Sequence, residues 1–444
     1  MKTQIHKLLK ASVLVLACMG TGMVHAQVVT TSNNTVNNLR AYDQSGINVF
    51  EDSKDSNTVF DGLKVKFGAG FTQSFQGLEH QNVSGGLYKM SPGFNTANAN
   101  LFMDVQLADG IRLNLTSYLS SRHHNETWVK GGYIQFDKLP FKGQIWDDIM
   151  KIASIRIGHM EINYGDQHFR RSDGGHTLYN PFVENYIMDG FTTEIGGEVL
   201  LRKNALFGMV GVSNGMIKGN IDSLVPTLQD DNIHKSPAFY FKGGFDKQLT
   251  DILRVRLAAS YYTNKSSAGQ TLYSGDRTGS NYFGSMEKAG STGFTTGRLN
   301  PGFSKKVDAY QLNGFLKVQG MELFGTYEVA QGRTKNEVND RKATQYALDA
   351  IYRIGQKENL FVGVRYNAVS ARLANVAAAG TAPAIVYQND IKVDRLAFGA
   401  GWFLTKNVLL KGEYVKQQYK DLPVADYRNG GEFNGFVVQA VVGF

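Results

Sequence analysis

From Leu63 to Phe444 the chain repeats one pattern, stretches of about ten residues in which every second side chain is apolar, separated by turns or polar loops. A period of two belongs to β-strands, whose successive side chains leave opposite faces. The last stretch is the plainest. Phe436, Val438, Ala440, Val442 and Phe444 fall on one face, and Gly435, Val437, Gln439, Val441 and Gly443 on the other. The chain stops on the aromatic ring, with no polar tail after it. A strand of about ten residues crosses a bilayer when tilted, so the pattern poses a choice between a membrane barrel and a soluble sheet protein.

Strands are expected over 63–72, 97–107, 111–119, 127–138, 152–162, 190–202, 205–214, 238–246, 253–262, 307–319, 321–331, 342–354, 359–369, 393–404, 408–419 and 434–444, with a tight turn over 108–110 and a short helical turn over 145–151. Strands of soluble sandwiches average about five or six residues and meet in one apolar core. Here the face opposite the apolar one carries Lys, Arg, Asn, Asp and Gln along its length. Short and long connections alternate, and an even strand number returns both ends to one side. Lipid forbids an open sheet edge, so the sheet must close. The expectation is therefore all-β, a closed antiparallel transmembrane β-barrel of about sixteen strands with short periplasmic turns and long external loops.

Composition agrees with this reading. Glycine is abundant at 49 residues and proline scarce at 8, while 21 Tyr and 27 Phe supply aromatic belts. No apolar run is long enough for a membrane helix. The net charge of +8 contains no Lys/Arg-dense run, so nucleic acid is not an expected partner. Residues 1–26 read as a signal peptide: Lys2, Lys7 and Lys10, an apolar core over 11–17, and Val24-His25-Ala26 before Gln27. Val15-Leu16-Ala17-Cys18 partly resembles a lipoprotein box, though Leu16 fits poorly. Cys18 is the only cysteine, so cleavage after Ala26 leaves no thiol for a disulfide, a metal or a nucleophile. Residues 27–58 are polar and expected to be a loosely ordered periplasmic segment. Within it Ile47, Val49 and Phe50 could dock on the barrel mouth or enter its lumen. The barrel is expected over 59–444.

If the polar face is the lumen, its charges are the functional inventory. The basic candidates are Lys64, Lys66, Arg112, Arg202, Lys242, Arg254, Arg256, Arg365, Arg395 and Lys411, and the acidic ones Asp104, Glu194, Glu198, Glu322, Glu328, Asp349 and Glu413. Basic rings favour anions, and mixed rings set up a transverse field. The alternative is that such charges only keep the wall wet. The segment 163–189 is too long for a turn and carries Arg170 and Arg171, so it either stands outside or folds inward and narrows the pore. His123, His124, Glu126, His168 and His176 lack a spacing specific for metal. No cofactor motif or catalytic constellation is legible, and no enzyme is expected.

The stretches Arg156-Ile157-Gly158-His159-Met160-Glu161-Ile162-Asn163-Tyr164-Gly165 and Glu322-Leu323-Phe324-Gly325-Thr326-Tyr327-Glu328, followed by Gly332-Arg333, resemble the phosphate-selective porin (porin O/P) family. The first is similar to that family's strand leading into an inward loop. The resemblance implies a homotrimeric anion channel with basic residues in the lumen, and Arg170 and Arg171 as constriction residues. Partners implied by the reading are small hydrophilic solutes or anions, outer-membrane lipid, and the barrel-insertion machinery through the strand ending in Phe444. The expected function is passive diffusion across an outer membrane, possible anion or phosphate preference included. The alternative is a receptor or adhesin acting through the long loops.

Overall fold

The computed structural model describes residues 36, 38–54, 60–120, 127–216, 218 and 221–444. The expected signal peptide, Cys18, His123, His124 and Glu126 lie outside the described residues.

The strands are β1 (Lys64–Gln81), β2 (Gly93–Phe94), β3 (Asn98–Ala108), β4 (Ile111–Ser120), β5 (Trp128–Phe136), β6 (Ala153–Glu161), β7 (Thr193–Lys203), β8 (Leu206–Ser213) and β9 (Ala238–Thr250). They continue as β10 (Leu253–Asn264), β11 (Lys306–Val318), β12 (Met321–Arg333), β13 (Arg341–Ile354), β14 (Leu360–Ala371), β15 (Ile391–Thr405), β16 (Val408–Lys420) and β17 (Glu432–Gly443). All belong to one 17-stranded sheet; without the two-residue β2, sixteen long strands remain. Neighbours in sequence pair antiparallel, and β1 pairs with β17 from Gly70↔Gly443 to Gln81↔Glu432, which closes the cylinder. The expected fold is thus the observed one, and no open edge remains for lipid to meet.

The alternation decides which face is which. On β13, Gln345, Asp349 and Arg353 are buried inside, while Tyr346, Leu348 and Tyr352 are exposed outside. Phe67, Leu257, Tyr310, Trp402, Tyr414, Phe436 and Phe444 continue that outer apolar and aromatic surface. β1 and β9 outran their expected ends most, β9 reaching Thr250 rather than Asp246. β1 continues past Thr72 to Gln81, because Ser74, Gln76 and Leu78 keep turning inward while β17 supplies backbone partners. The short helix α1 (Gln144–Met150) lies in the β5–β6 connection, one residue earlier than expected.

The interior is not simply water against a wetted wall. Phe182, Val183, Ile187 and Met188, from the connection after β6, pack on lumen-facing Ile351, Phe361, Phe403, Leu409, Val415 and Val437. The polar segment before β1 is also inside. Contrary to a loosely ordered tail, residues 38–54 lie in the lumen at the end bearing the short turns, where Gln44 N–H donates to Lys406 C=O at 2.8 Å. Phe50 is buried among Tyr186, Phe315 and Phe324. Its apolar ring draws the segment in, and buried charges hold it there.

Candidate functional site

The connection 162–192 folds inward and is held by side chains of the facing wall. Buried backbone polar groups need partners, and the strands supply them. Lys411 donates to the carbonyls of Thr177, Asn180 and Phe182, each at 2.8 Å. Arg365 donates to Glu184 C=O at 2.8 Å while paired with Asp349. Arg395 donates to Asn185 C=O at 2.6 Å. Gln345 brackets Met188, accepting from its N–H and donating to its C=O. Two glycines permit the approach: a Cβ on Gly70 would sit 2.8 Å from His176 Cβ, and one on Gly175 2.4 Å from Ala99 Cα.

A second cluster ties this loop to the N-terminal segment. Glu51 lies between Arg256 at 2.9 Å, Lys242 at 3.3 Å and Arg202 at 3.6 Å. Arg256 and Lys242 also reach Asp166 of the loop, at 2.7 and 2.6 Å. Burial pushes the Glu51 and Asp166 carboxyls up, but the Lys242 and Arg256 cations outweigh it and hold both below the usual range. Arg170 donates to Asn48 and lies 3.5 Å from Glu322. Arg254 pairs with Asp246 and donates to Asn48 C=O. Arg156 meets Asp52 at 2.7 Å.

Between the inward loop and the wall of β3 to β7 a cavity of about 220 Å³ remains. Arg40, Lys130, Arg156 and Arg171 line it together with Asp52, Asp104, Glu161 and Asp173. Lys130 reaches it through a β-bulge. Thr116 pairs with Gly131 and Ser117 with Val129, so Lys130 is the extra residue, and both Lys130 and Gly131 are buried on the inner face. Lys130 pairs with Asp173 of the loop. Arg171 pairs with Asp189 at 2.5 Å and stands over the Phe191 ring. Burial lowers the Arg171 pKa, but Asp189 and Asp276 raise it further, so the guanidinium is held charged. Asp276 belongs to the connection 265–305; burial opposes its ionisation, but Arg171 and Lys130 bring it down to about 2. His176, whose Nε2–H donates to Tyr42 C=O at 2.9 Å, is pushed down to about 4 by burial.

The basic residues singled out from the sequence therefore separate. Of them, Arg171 lines the cavity. Arg254 faces a recess of about 440 Å³ at the short-turn end. Arg170, Arg202, Lys242, Arg256, Arg365 and Arg395 bind the loop or the N-terminal segment. Arg112 is buried against Asp137 at 2.6 Å, Lys64 pairs with Asp61, and Lys66 stands over the Tyr42 ring. Arg40, Asp52 and Lys130 were not singled out. The Gly131-Gly132 pair, which interrupts the alternation of β5, was the available signal for Lys130. Among the described residues no group of three His, Cys, Asp or Glu side chains is placed to hold a metal. The connection 265–305 buries Leu272, Tyr273, Tyr282 and Met286 rather than displaying them.

No protein-family model and no curated protein matches the chain. Solved structures do share its fold. An anion-selective porin from Comamonas acidovorans aligns with a TM-score of 0.53 at 10% identity, covering 86% of this chain and 100% of that one. OmpT, an outer membrane protein of Vibrio cholerae described in a trimer form, aligns with a TM-score of 0.50 at 11% identity, again over 86% of this chain and 100% of the other. The fold is that of an outer-membrane β-barrel.

Proposed function

We propose that this chain is a passive diffusion channel for small hydrophilic solutes, with the inward connection 162–192 setting its narrow zone and no catalytic step. The observation that carries the reading is the charged cavity between that connection and the wall of a closed membrane barrel. A passage through lipid needs a sealed wall and a polar interior, and both are present. Arg40, Arg171, Lys130 and Arg156 are the proposed lining cations, and Arg170, Arg202, Lys242, Arg256, Arg365, Arg395 and Lys411 position the loop and the N-terminal segment.

An anion or phosphate preference would draw on Arg171 and Lys130. Four carboxylates share the cavity with four cations, however, so size and polarity are proposed to dominate over charge sign. Three copies side by side in the membrane belong to the same proposal, supported by the trimer form described for the Vibrio cholerae neighbour. The test is planar-bilayer recording of the purified protein under a salt gradient. Stepwise conductance with a reversal potential near zero is expected, and Arg171→Gln should move that potential toward cation preference. Absence of any stable conductance from folded protein would sink the channel reading. A strong anion potential unaffected by Arg171→Gln would remove this arginine from the narrow zone.

A further inference from the structure

We infer that the cavity beside the inward loop is a binding subsite for a small zwitterion, a molecule carrying one ammonium and one carboxylate group. The inference rests on the channel reading and adds the class of solute. Asp104 and Arg171, the two charged side chains of this lining that are less than a tenth exposed and carry a polar atom without a hydrogen-bond partner, are of opposite sign. Asp104 Oδ1 accepts from Tyr42 Oη at 3.1 Å and from Asn114 Nδ2 at 2.6 Å. Its Oδ2 has no hydrogen-bond partner, although the residue is only 1% exposed. Arg171 is 4% exposed, and its Nη1 is likewise without a hydrogen bond. The nearest carboxylates, Asp276 at 3.6 Å and Asp173 at 3.7 Å, stand beyond hydrogen-bond length.

A buried charged atom left without a partner is unfavourable, and a ligand that supplies one gains what the empty site lacks. The missing partners are of opposite kind. Asp104 Oδ2 needs a donor, and an ammonium is the strongest one a small solute carries. Arg171 Nη1 needs an acceptor, and a carboxylate oxygen fits it. A monoanion or a monocation answers one of the two; a zwitterion answers both. The Phe102, Tyr133 and Phe169 rings in the same lining offer apolar contact to the short carbon chain joining the charged groups. A volume of about 220 Å³ accommodates a molecule of amino-acid size.

The test is isothermal titration calorimetry on the full chain in detergent, with γ-aminobutyrate, butyrate and butylamine as probes. These share a carbon chain and differ in which charge they carry. On the unaltered protein γ-aminobutyrate should bind about tenfold or more tightly than either singly charged analogue. Asp104→Asn should weaken γ-aminobutyrate and butylamine together and leave butyrate unchanged. Equal affinities for the three probes would mean binding that ignores their charges, and no heat from any of them a cavity that holds water; either would overturn the inference. The three-probe comparison needs no variant, so it decides even if Asp104→Asn does not fold. Binding without bilayer conductance would retain the subsite and remove the channel; conductance without selective binding would do the reverse.

Discussion

His176 takes up its proton at a lower pH when its loop is docked than when it is released. Docked, its ring is buried beside Tyr42, Phe102 and Tyr179, with the Arg40 and Lys130 cations opposing a further charge, and its pKa falls to about 4. Released, it would titrate near the ordinary value of about 6.5. Between those values the released loop takes up a proton that the docked loop refuses, so docking is at full strength above about pH 6.5 and weakens as pH falls toward 4. The heat-induced mobility shift of the folded barrel on gels should therefore move to lower temperature over that interval, and His176→Gln should flatten the trend. Glu51 is the converse case. Glu51→Gln removes the carboxylate between Lys242, Arg256 and Arg202 and leaves Asp166 to serve both Lys242 and Arg256, a loss of about 3 kcal/mol by the usual scale for breaking a buried pair. Chemical denaturation of the two proteins side by side checks it. At this scale the sequence told which face a residue takes but not what it meets there. Arg256 and Lys242 could be placed in the lumen by parity; that Glu51 awaits them, some two hundred residues earlier, is invisible to any local pattern.

Apart from the ends of β1 and β9, the strands were legible to within about three residues, since period two persists through them and turn residues punctuate it. The exceptions have physical causes. β1 runs on because its residues 73–81 pair with residues 440–432 of β17, and β5 slips by one residue at its bulge. The course of the connection 162–192 was not legible, because its conformation is written in the wall rather than in itself. Lys411 alone serves three of its carbonyls. Lys411→Met keeps the chain length and removes all three bonds, each unsatisfied group being worth about 1–3 kcal/mol. The loop should then exchange amide hydrogens faster, and single-channel current should become noisier, while the barrel itself still assembles. An unchanged exchange rate over residues 176–184 would show that the apolar packing of Phe182 and Ile187 suffices. The N-terminal segment predicts in the same manner. Deleting 38–54 takes away the ring of Phe50 and the Glu51 cluster, and mean conductance should rise.

For the whole molecule, the barrel is a container filled from both ends. The N-terminal segment enters from the short-turn side, the 162–192 connection from the other, and the 265–305 connection covers it, with Asp276 reaching Arg171. The sequence announced the container and left its contents open, because strand parity depends on neighbours while filling depends on residues far apart along the chain. The junction of β1 and β17 has a consequence for manufacture. The first long strand is sealed only by β17, more than three hundred and fifty residues further along the chain, so no partial set of strands yields a closed wall. A chain without β17 would present the unpaired backbone of β1 to the bilayer. Residence in the membrane thus requires two distant stretches of the chain to meet, a condition enforced by hydrogen bonding.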